Sequence, residues 1–78
     1  MKLQVLGTGC PKCKQVYERA CTAVQELGID AEVVKVEDIN EITRFGVMLT
    51  PALAIDGVVK IVGSVPDVAT IKRLLGAP

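Results

Sequence analysis

The sequence lacks histidine and tryptophan, and its 78 residues include one phenylalanine, one tyrosine and three cysteines. Without histidine, the usual nitrogen ligand of structural zinc is missing, and an odd number of cysteines does not suit a secreted framework of paired disulfides. Half of the residues are hydrophobic and few of these are aromatic, so the core must be built from Val, Leu, Ile and Ala. This is enough apolar surface for a compact fold, and we expect residues 1–78 to form one domain.

An excess of positive charge and long apolar runs are also missing. Nine basic and nine acidic residues cancel, and no segment concentrates Lys and Arg as a nucleic-acid site would. The first apolar run ends at Gly7, which is too short for a signal-peptide core, and no later run approaches the roughly 20 residues of a membrane span. We therefore expect a soluble, cytoplasmic monomer that binds neither nucleic acid nor membranes.

Two of the three cysteines are separated by only two residues, in the segment Gly7-Thr8-Gly9-Cys10-Pro11-Lys12-Cys13-Lys14. A pair at this spacing can exchange electrons, bind a metal ion or staple a loop. The odd cysteine count makes stapling the weakest of the three interpretations.

The hydrophobic pattern predicts a strand, a helix and a second strand, then a short helix, a hairpin and a last helix. Alternation over residues 2–6 indicates the first strand, and apolar residues every three or four positions from Pro11 indicate a helix ending at Gly28. Asp56-Gly57 is a hairpin signal, and Ser64 and Asp67 show capping spacing before the last helix. The predicted fold is α/β, a four-stranded mixed sheet with three helices in the order βαβαββα.

This order places the cysteine motif between the first strand and the first helix. Cys10 falls in the N-cap region and Pro11 at the first helical position, where backbone N–H groups and the helix dipole favour an anion such as a thiolate. Lys12 and Lys14 add positive charge nearby, which lowers the pKa of a thiol. Cys10 is therefore the predicted attacking sulfur, and Cys13, one turn inside the helix, resolves the mixed disulfide.

At this point the chain resembles the small thioredoxin-fold, glutaredoxin-like disulfide oxidoreductases of archaea and bacteria. The resemblance covers nearly the whole chain and is carried by Cys10-Pro11-Lys12-Cys13, Phe45-Gly46-Val47, Leu49-Thr50-Pro51, the Asp56-Gly57 hairpin and Gly63. It implies that the Thr50–Pro51 bond is cis and that Pro51 packs beside the disulfide. It also implies that the backbone before Pro51 pairs with substrate, with Gly63 lining the groove. The Cys10–Cys13 disulfide would be the redox group, with no cofactor and no metal.

The chain departs from the thioredoxin pattern at two places. Gly9 stands where an aromatic residue usually precedes the first cysteine, and Pro11 takes the glutaredoxin position between the cysteines. Gln4 replaces the buried acid of thioredoxins, although Lys35 matches the lysine that accompanies that acid. The resemblance implies a protein disulfide as substrate and an upstream reductase as partner. The segments with which glutaredoxins hold glutathione are matched only in part by this sequence. Glutathione is therefore kept as the second candidate substrate.

Two alternatives remain open at the level of sequence. A CxxC thiolate pair also suits a soft metal ion, so the chain could be a metal-binding protein or metallochaperone, although two ligands do not close a zinc site. A redox sensor that docks one partner has the same motif. The third cysteine, Cys21, is read as a small buried residue on the helix face toward the sheet.

Overall fold

A computed structural model of the protein describes residues 1–9 and 11–76. This part of the chain contains four strands and three helices in the predicted order βαβαββα. They are β1 (Lys2–Leu6), α1 (Pro11–Leu27), β2 (Glu32–Val36), α2 (Ile39–Arg44), β3 (Ala52–Ile55), β4 (Val58–Val62) and α3 (Val68–Leu74). The predicted α/β fold with a mixed sheet is confirmed. Within the described ranges, no helix combines the length and the apolar composition needed to cross a membrane.

The four strands form one sheet in the order β2-β1-β3-β4. β1 pairs in parallel with β2, as expected for strands joined through a helix, and antiparallel with β3. β3 and β4 form the predicted hairpin, in which Asp56 and Gly57 have φ angles of 50° and 84°. Both angles are positive, as a type I′ turn requires.

The register of the sheet brings four strand ends together. Leu6 at the end of β1 lies beside Val36 at the end of β2 and Ala52 at the start of β3. Ala52 in turn lies beside Val62 at the end of β4. The segments that follow β1, β2 and β4 therefore meet the segment that precedes β3 at one end of the sheet.

The core consists of two clusters of aliphatic side chains. Because successive side chains of a strand point to opposite faces, Leu3 and Val5 of β1 belong to one cluster and Leu6 to the other. The larger cluster joins the sheet to α1 and α3 and contains Leu3, Val5, Val16, Ala20, Ala23, Leu53, Ile55 and Ile71. The smaller cluster joins it to α2 and contains Leu6, Val36, Ile42, Val47 and Ala52. All four residues of β3 are buried, since helices cover both faces of the sheet.

Aspartate side chains begin the two shorter helices. Asp38 accepts a hydrogen bond from the Asn40 amide at 2.8 Å, and Asp67 accepts one from the Thr70 amide at 2.8 Å. Asp67 is thus the N-cap of α3, and it is one of the two residues whose spacing indicated capping before this helix. α1 ends as predicted at Gly28, whose φ of 63° is the left-handed conformation of a helix C-terminus.

Candidate active site

Gly7 is the buried residue around which the candidate site is assembled. A Cβ atom on Gly7 would overlap the Sγ atom of Cys13 and would lie 3.9 Å from the Cβ atom of Thr50. The Gly7 amide donates a 3.0 Å hydrogen bond to the Val36 carbonyl, which ties this residue to the end of β2. Cys13 and Thr50, far apart in the sequence, therefore contact the same position in the fold.

Cys13 is the third residue of α1 and is only 5% exposed. It lies on the helix face that carries Val16, Ala20 and Ala23, which are three, seven and ten positions further along and are fully buried. This spacing follows one side of an α-helix, so the amphipathic pattern that packs α1 on the sheet also holds the sulfur inside. The prediction that Cys13 is the more enclosed part of the motif fits this burial.

Cys10, the predicted attacking cysteine, lies outside the described residues. Its neighbours in the sequence are described: Gly9 is exposed, and Pro11 is the first residue of α1, as predicted. Lys12 is exposed on the first turn of the same helix. The roles assigned to Cys10, Pro11 and Lys12 therefore stay predictions.

The Thr50–Pro51 peptide bond is cis, as the resemblance implied. Pro51 is fully buried, while Thr50 is exposed, as are the two apolar residues before it, Met48 (96%) and Leu49 (64%). The segment before β3 thus offers exposed backbone and apolar side chains next to a fixed proline.

Gly63 contacts this segment directly, while its predicted role in lining a substrate groove stays a prediction. Its amide donates a 2.8 Å hydrogen bond to the Pro51 carbonyl, and a Cβ atom placed on it would lie 3.4 Å from Leu49 Cδ1. Its φ of 74° is in the left-handed region that favours glycine. The residue after β4 therefore supports the loop before β3.

A cleft of about 300 Å³ lies beside Cys13. The cleft is lined by the loop after β1 and by three charged side chains. One of these is on α1, one is on β2 and one belongs to the residue that follows β2. The lining residues are Val5, Gly7, Thr8, Gly9, Cys13, Lys14, Lys35 and Glu37. Glu37 was not predicted from the sequence, because it shares no motif with the cysteines. Only the parallel pairing of β1 and β2 brings it to this end of the sheet.

Gln4, which stands where thioredoxins carry a buried acid, belongs to a different part of the structure. Its side-chain carbonyl accepts a 3.0 Å hydrogen bond from the Gly57 amide in the hairpin turn. Lys35 does reach the site, and its ammonium group lies 4.5 Å from the centre of the Tyr17 ring, a cation–π contact.

Tyr17 and Cys21 interact with each other one turn apart on α1. The negative charge that Cys21 acquires on ionisation, together with a hydrogen bond between the two side chains, raises the pKa of Tyr17. Cys21 is half-buried, so the expectation that it is fully buried is wrong. It lines a shallow depression together with Val33 of β2, at the edge of the sheet.

Within residues 1–9 and 11–76, no three side chains among His, Cys, Asp and Glu lie together so that they could hold a metal ion.

Comparison with known proteins gives concordant results. The thioredoxin domain family matches residues 1–76. A thioredoxin of Methanocaldococcus jannaschii is 52% identical over 73 residues, which cover 94% of this chain and 84% of that protein. A thioredoxin of Methanothermobacter thermautotrophicus is 44% identical over 75 residues, which cover 96% and 97%. These similarities favour disulfide chemistry, and nothing in them favours the metal-binding alternative.

Proposed function

The chain belongs to the thioredoxin family of thiol-disulfide oxidoreductases, and we propose that it reduces protein disulfides with Cys10 and Cys13. The observation that carries this proposal is the contact of buried Cys13 and Thr50 with the same position, Gly7. This contact places a sulfur beside the segment to which an extended substrate would bind. The two sulfurs supply both electrons, so the proposed reaction uses no bound cofactor.

The reaction proceeds by two successive thiol-disulfide exchanges. The Cys10 thiolate attacks one sulfur of the substrate disulfide, which breaks that bond and leaves the other substrate sulfur as a thiolate. The Cys13 thiolate then attacks the Cys10 sulfur, forms the Cys10–Cys13 disulfide and expels the second substrate sulfur. The substrate has gained two electrons and, with two protons, becomes a dithiol. A reductase must return two electrons before the next cycle.

Cys10 is assigned the first attack because it precedes Pro11, the first residue of the 17-residue helix α1. The N-terminus of a helix of this length favours a negative charge, and Lys12 adds a positive charge there. Cys13 is assigned the second step because its burial keeps substrates from reaching it directly. Pro11 contributes a fixed φ angle at the first helical position.

The substrate-binding surface in this proposal is the backbone of Thr50 and Pro51. Thr50 is exposed, whereas the Pro51 carbonyl is already bonded to the Gly63 amide, so a substrate strand would pair with Thr50. Exposed Met48 and Leu49 would contact apolar side chains of the substrate protein. Gly63 keeps this surface open because it carries no side chain. A protein disulfide therefore suits the site better than glutathione, and a reducing cytoplasm is the compartment we propose.

Two variants test the assignment of the cysteines. Cys10→Ser should abolish insulin reduction, because no attacking thiolate remains. Cys13→Ser should accumulate a mixed disulfide between Cys10 and the substrate, which mass spectrometry detects. Cys21→Ser is the matched control and should keep the activity of the parent protein. Normal insulin reduction by both Cys10→Ser and Cys13→Ser would refute the proposal.

The reduction potential separates disulfide chemistry from metal binding. Equilibration in dithiol buffers without metal, with free thiols counted by mass, should give one reversible two-electron transition. We expect its midpoint between about −270 and −200 mV, the span of thioredoxins and glutaredoxins. Thiols that become reactive only after a chelator is added would instead support the metallochaperone alternative.

A further inference from the structure

The second exchange requires that Cys13 lose its proton, because the thiolate and not the thiol attacks a disulfide. Cys13 is 5% exposed, so water reaches its sulfur mainly through the cleft that it lines. Gln4 cannot accept a proton, and its side chain is bonded to the hairpin turn. A base among the residues that line the cleft would therefore speed this step.

Among the described residues that line the cleft beside Cys13, one carries a carboxylate, the exposed Glu37. Glu37 directly follows Val36, whose carbonyl is bonded to the Gly7 amide, so the end of β2 is fixed against the loop that precedes the cysteines. Its Oε2 atom lies 3.4 Å from the position that a Cβ atom on Gly9 would take. The carboxylate thus faces the backbone next to Cys10 and shares the cleft with Cys13.

The other titratable and charged groups that line this cleft are Cys13, Lys14 and Lys35. Lysine ammonium groups have protons to donate and no acceptor site at neutral pH, and the Lys35 ammonium is also held over the Tyr17 ring. The hydroxyl group of Thr8 is a very weak base. Among the described residues of the lining, Glu37 is therefore the one with a carboxylate, whose oxygens are the proton acceptors available there. The cleft also has room for several water molecules, each of which occupies about 30 Å³ in the liquid.

We propose that Glu37 accepts the proton of Cys13, through water in the cleft, when Cys13 attacks the mixed disulfide. This inference rests on the proposed function, because it assigns the base for the second exchange. The proton passes from Cys13 Sγ to the Glu37 carboxylate, and the sulfur's electron pair forms the bond to Cys10. The bond between Cys10 and the substrate breaks, and the substrate sulfur leaves with that electron pair. It then takes up a proton, either the one held by Glu37 or one from solvent.

An aromatic disulfide, dithiobis(nitrobenzoate), resolves the two exchanges in one stopped-flow experiment. Attack by Cys10 releases a first coloured thiolate, and attack by Cys13 on the mixed disulfide releases a second. This leaving group departs without a proton. The loss of the proton from Cys13 is therefore the one proton transfer in the second phase. The measurement compares the parent protein with Glu37→Gln and Glu37→Asp between about pH 6 and pH 9, a range around the ordinary thiol pKa of about 8.5.

Glu37→Gln should slow the second phase by about tenfold or more near pH 6. This is a modest expectation, because general-base catalysis typically contributes a factor of about 100 to 10,000. The deficit should shrink toward pH 9, where hydroxide removes the proton, and the first phase should keep its rate. Glu37→Asp should recover part of the lost rate. The control is Glu32→Gln, the same loss of charge on an exposed residue at the far end of β2, which should match the parent protein.

The possible outcomes separate this inference from the function on which it rests. A second phase that is equally fast in Glu37→Gln at every pH would overturn the role of Glu37 and leave the two-cysteine mechanism intact. A change confined to the first phase would also overturn it, since Glu37 would then act only on the charge of Cys10. A parent protein without any second phase would refute the two-cysteine mechanism itself.

Discussion

The Sγ atom of Cys13 occupies the space in which a side chain on Gly7 would begin. A Cβ atom at residue 7 would overlap this sulfur and would lie 3.1 Å from Cys13 Cβ. Gly7 is buried, and Cys13 is only 5% exposed. The sulfur of Cys13 can therefore take this position only because residue 7 has no side chain.

Replacing Gly7 by alanine should displace Cys13 and impair the second exchange. We expect a loss of about 1–3 kcal/mol in the free energy of unfolding, as is typical of an overpacked interior. Release of substrate from the mixed disulfide should slow more than formation of that disulfide. Denaturant unfolding and the two-phase kinetics measure these effects. Gly28→Ala is the control, because its φ of 63° makes alanine unfavourable while its surroundings are empty. Equal kinetics in the two variants would contradict the prediction.

Gly63→Ala should weaken the reduction of protein substrates more than that of small disulfides. Alanine at residue 63 would be strained by the φ of 74°, and its methyl group would fill the space beside Leu49, 3.4 Å from its Cδ1 atom, on the surface that a substrate strand meets. Insulin reduction should fall severalfold while the reaction with dithiobis(nitrobenzoate) is retained. Gly46→Ala has nearly the same backbone strain, with φ of 76° against 74°, but open space around it. The prediction fails if both variants lose insulin reduction equally.

Tyr17 should titrate at lower pH once Cys21 is removed. Ionised Cys21 and the hydrogen bond between the two side chains raise the pKa of Tyr17, so Cys21→Ala should return it toward about 10. The protein has one tyrosine and no tryptophan, so ultraviolet absorbance follows this residue alone. Thr22→Ala is the control on the adjacent position of α1. An unchanged midpoint in Cys21→Ala would show that the two side chains do not interact.

Asp67→Ala should destabilise the protein at neutral pH but less so in acid. The hydrogen bonds from the side chain and the amide of Thr70 lower the pKa of Asp67, so folding favours its charged form. A lowered pKa in the folded state gives a stabilising contribution above the unfolded value of about 3.9, which disappears as pH falls through the folded value. Thermal unfolding between about pH 7 and pH 2 measures the difference. Asp67→Asn keeps a capping side chain without the titration. A deficit of Asp67→Ala that stays constant over this range would argue against the prediction.

The sequence predicted most of the fold because its local signals agree with its tertiary contacts. The alternation in β1, the apolar face of α1 and the Asp56-Gly57 turn each predict the element that forms. The hairpin and the helix-linked parallel pair then leave few ways to arrange the sheet. The spacing of Ser64 and Asp67 indicated capping before α3, but both have capping side chains, and spacing alone does not show that Asp67 is the N-cap.

The candidate site was predictable only where a motif marks it. The cysteine pair and Thr50-Pro51 stand out in the sequence, and the resemblance links them. Gly7 and Glu37 do not stand out, because their roles depend on strand register and on the direction of a neighbouring helix. A glycine after a strand usually indicates a turn, and a glutamate after a strand usually indicates a solvated end. The half-burial of Cys21 was not predictable either, because cysteine is compatible with both the core and the edge of a helix face.

The two cores of the protein are unequal, and this has a consequence for its motions. The larger cluster, which includes residues of α1 and α3, has eight buried residues, whereas the smaller cluster has five, of which the six-residue helix α2 supplies only Ile42. Local opening requires less energy where fewer apolar contacts must break, so the amide protons of α2 should exchange with deuterium sooner than those of central α1. Ile39 and Met48, both largely exposed, flank this softer region. The surface beside Thr50 can then adapt to differently shaped partners while the rigid half of the molecule holds the sulfur of Cys13 in place.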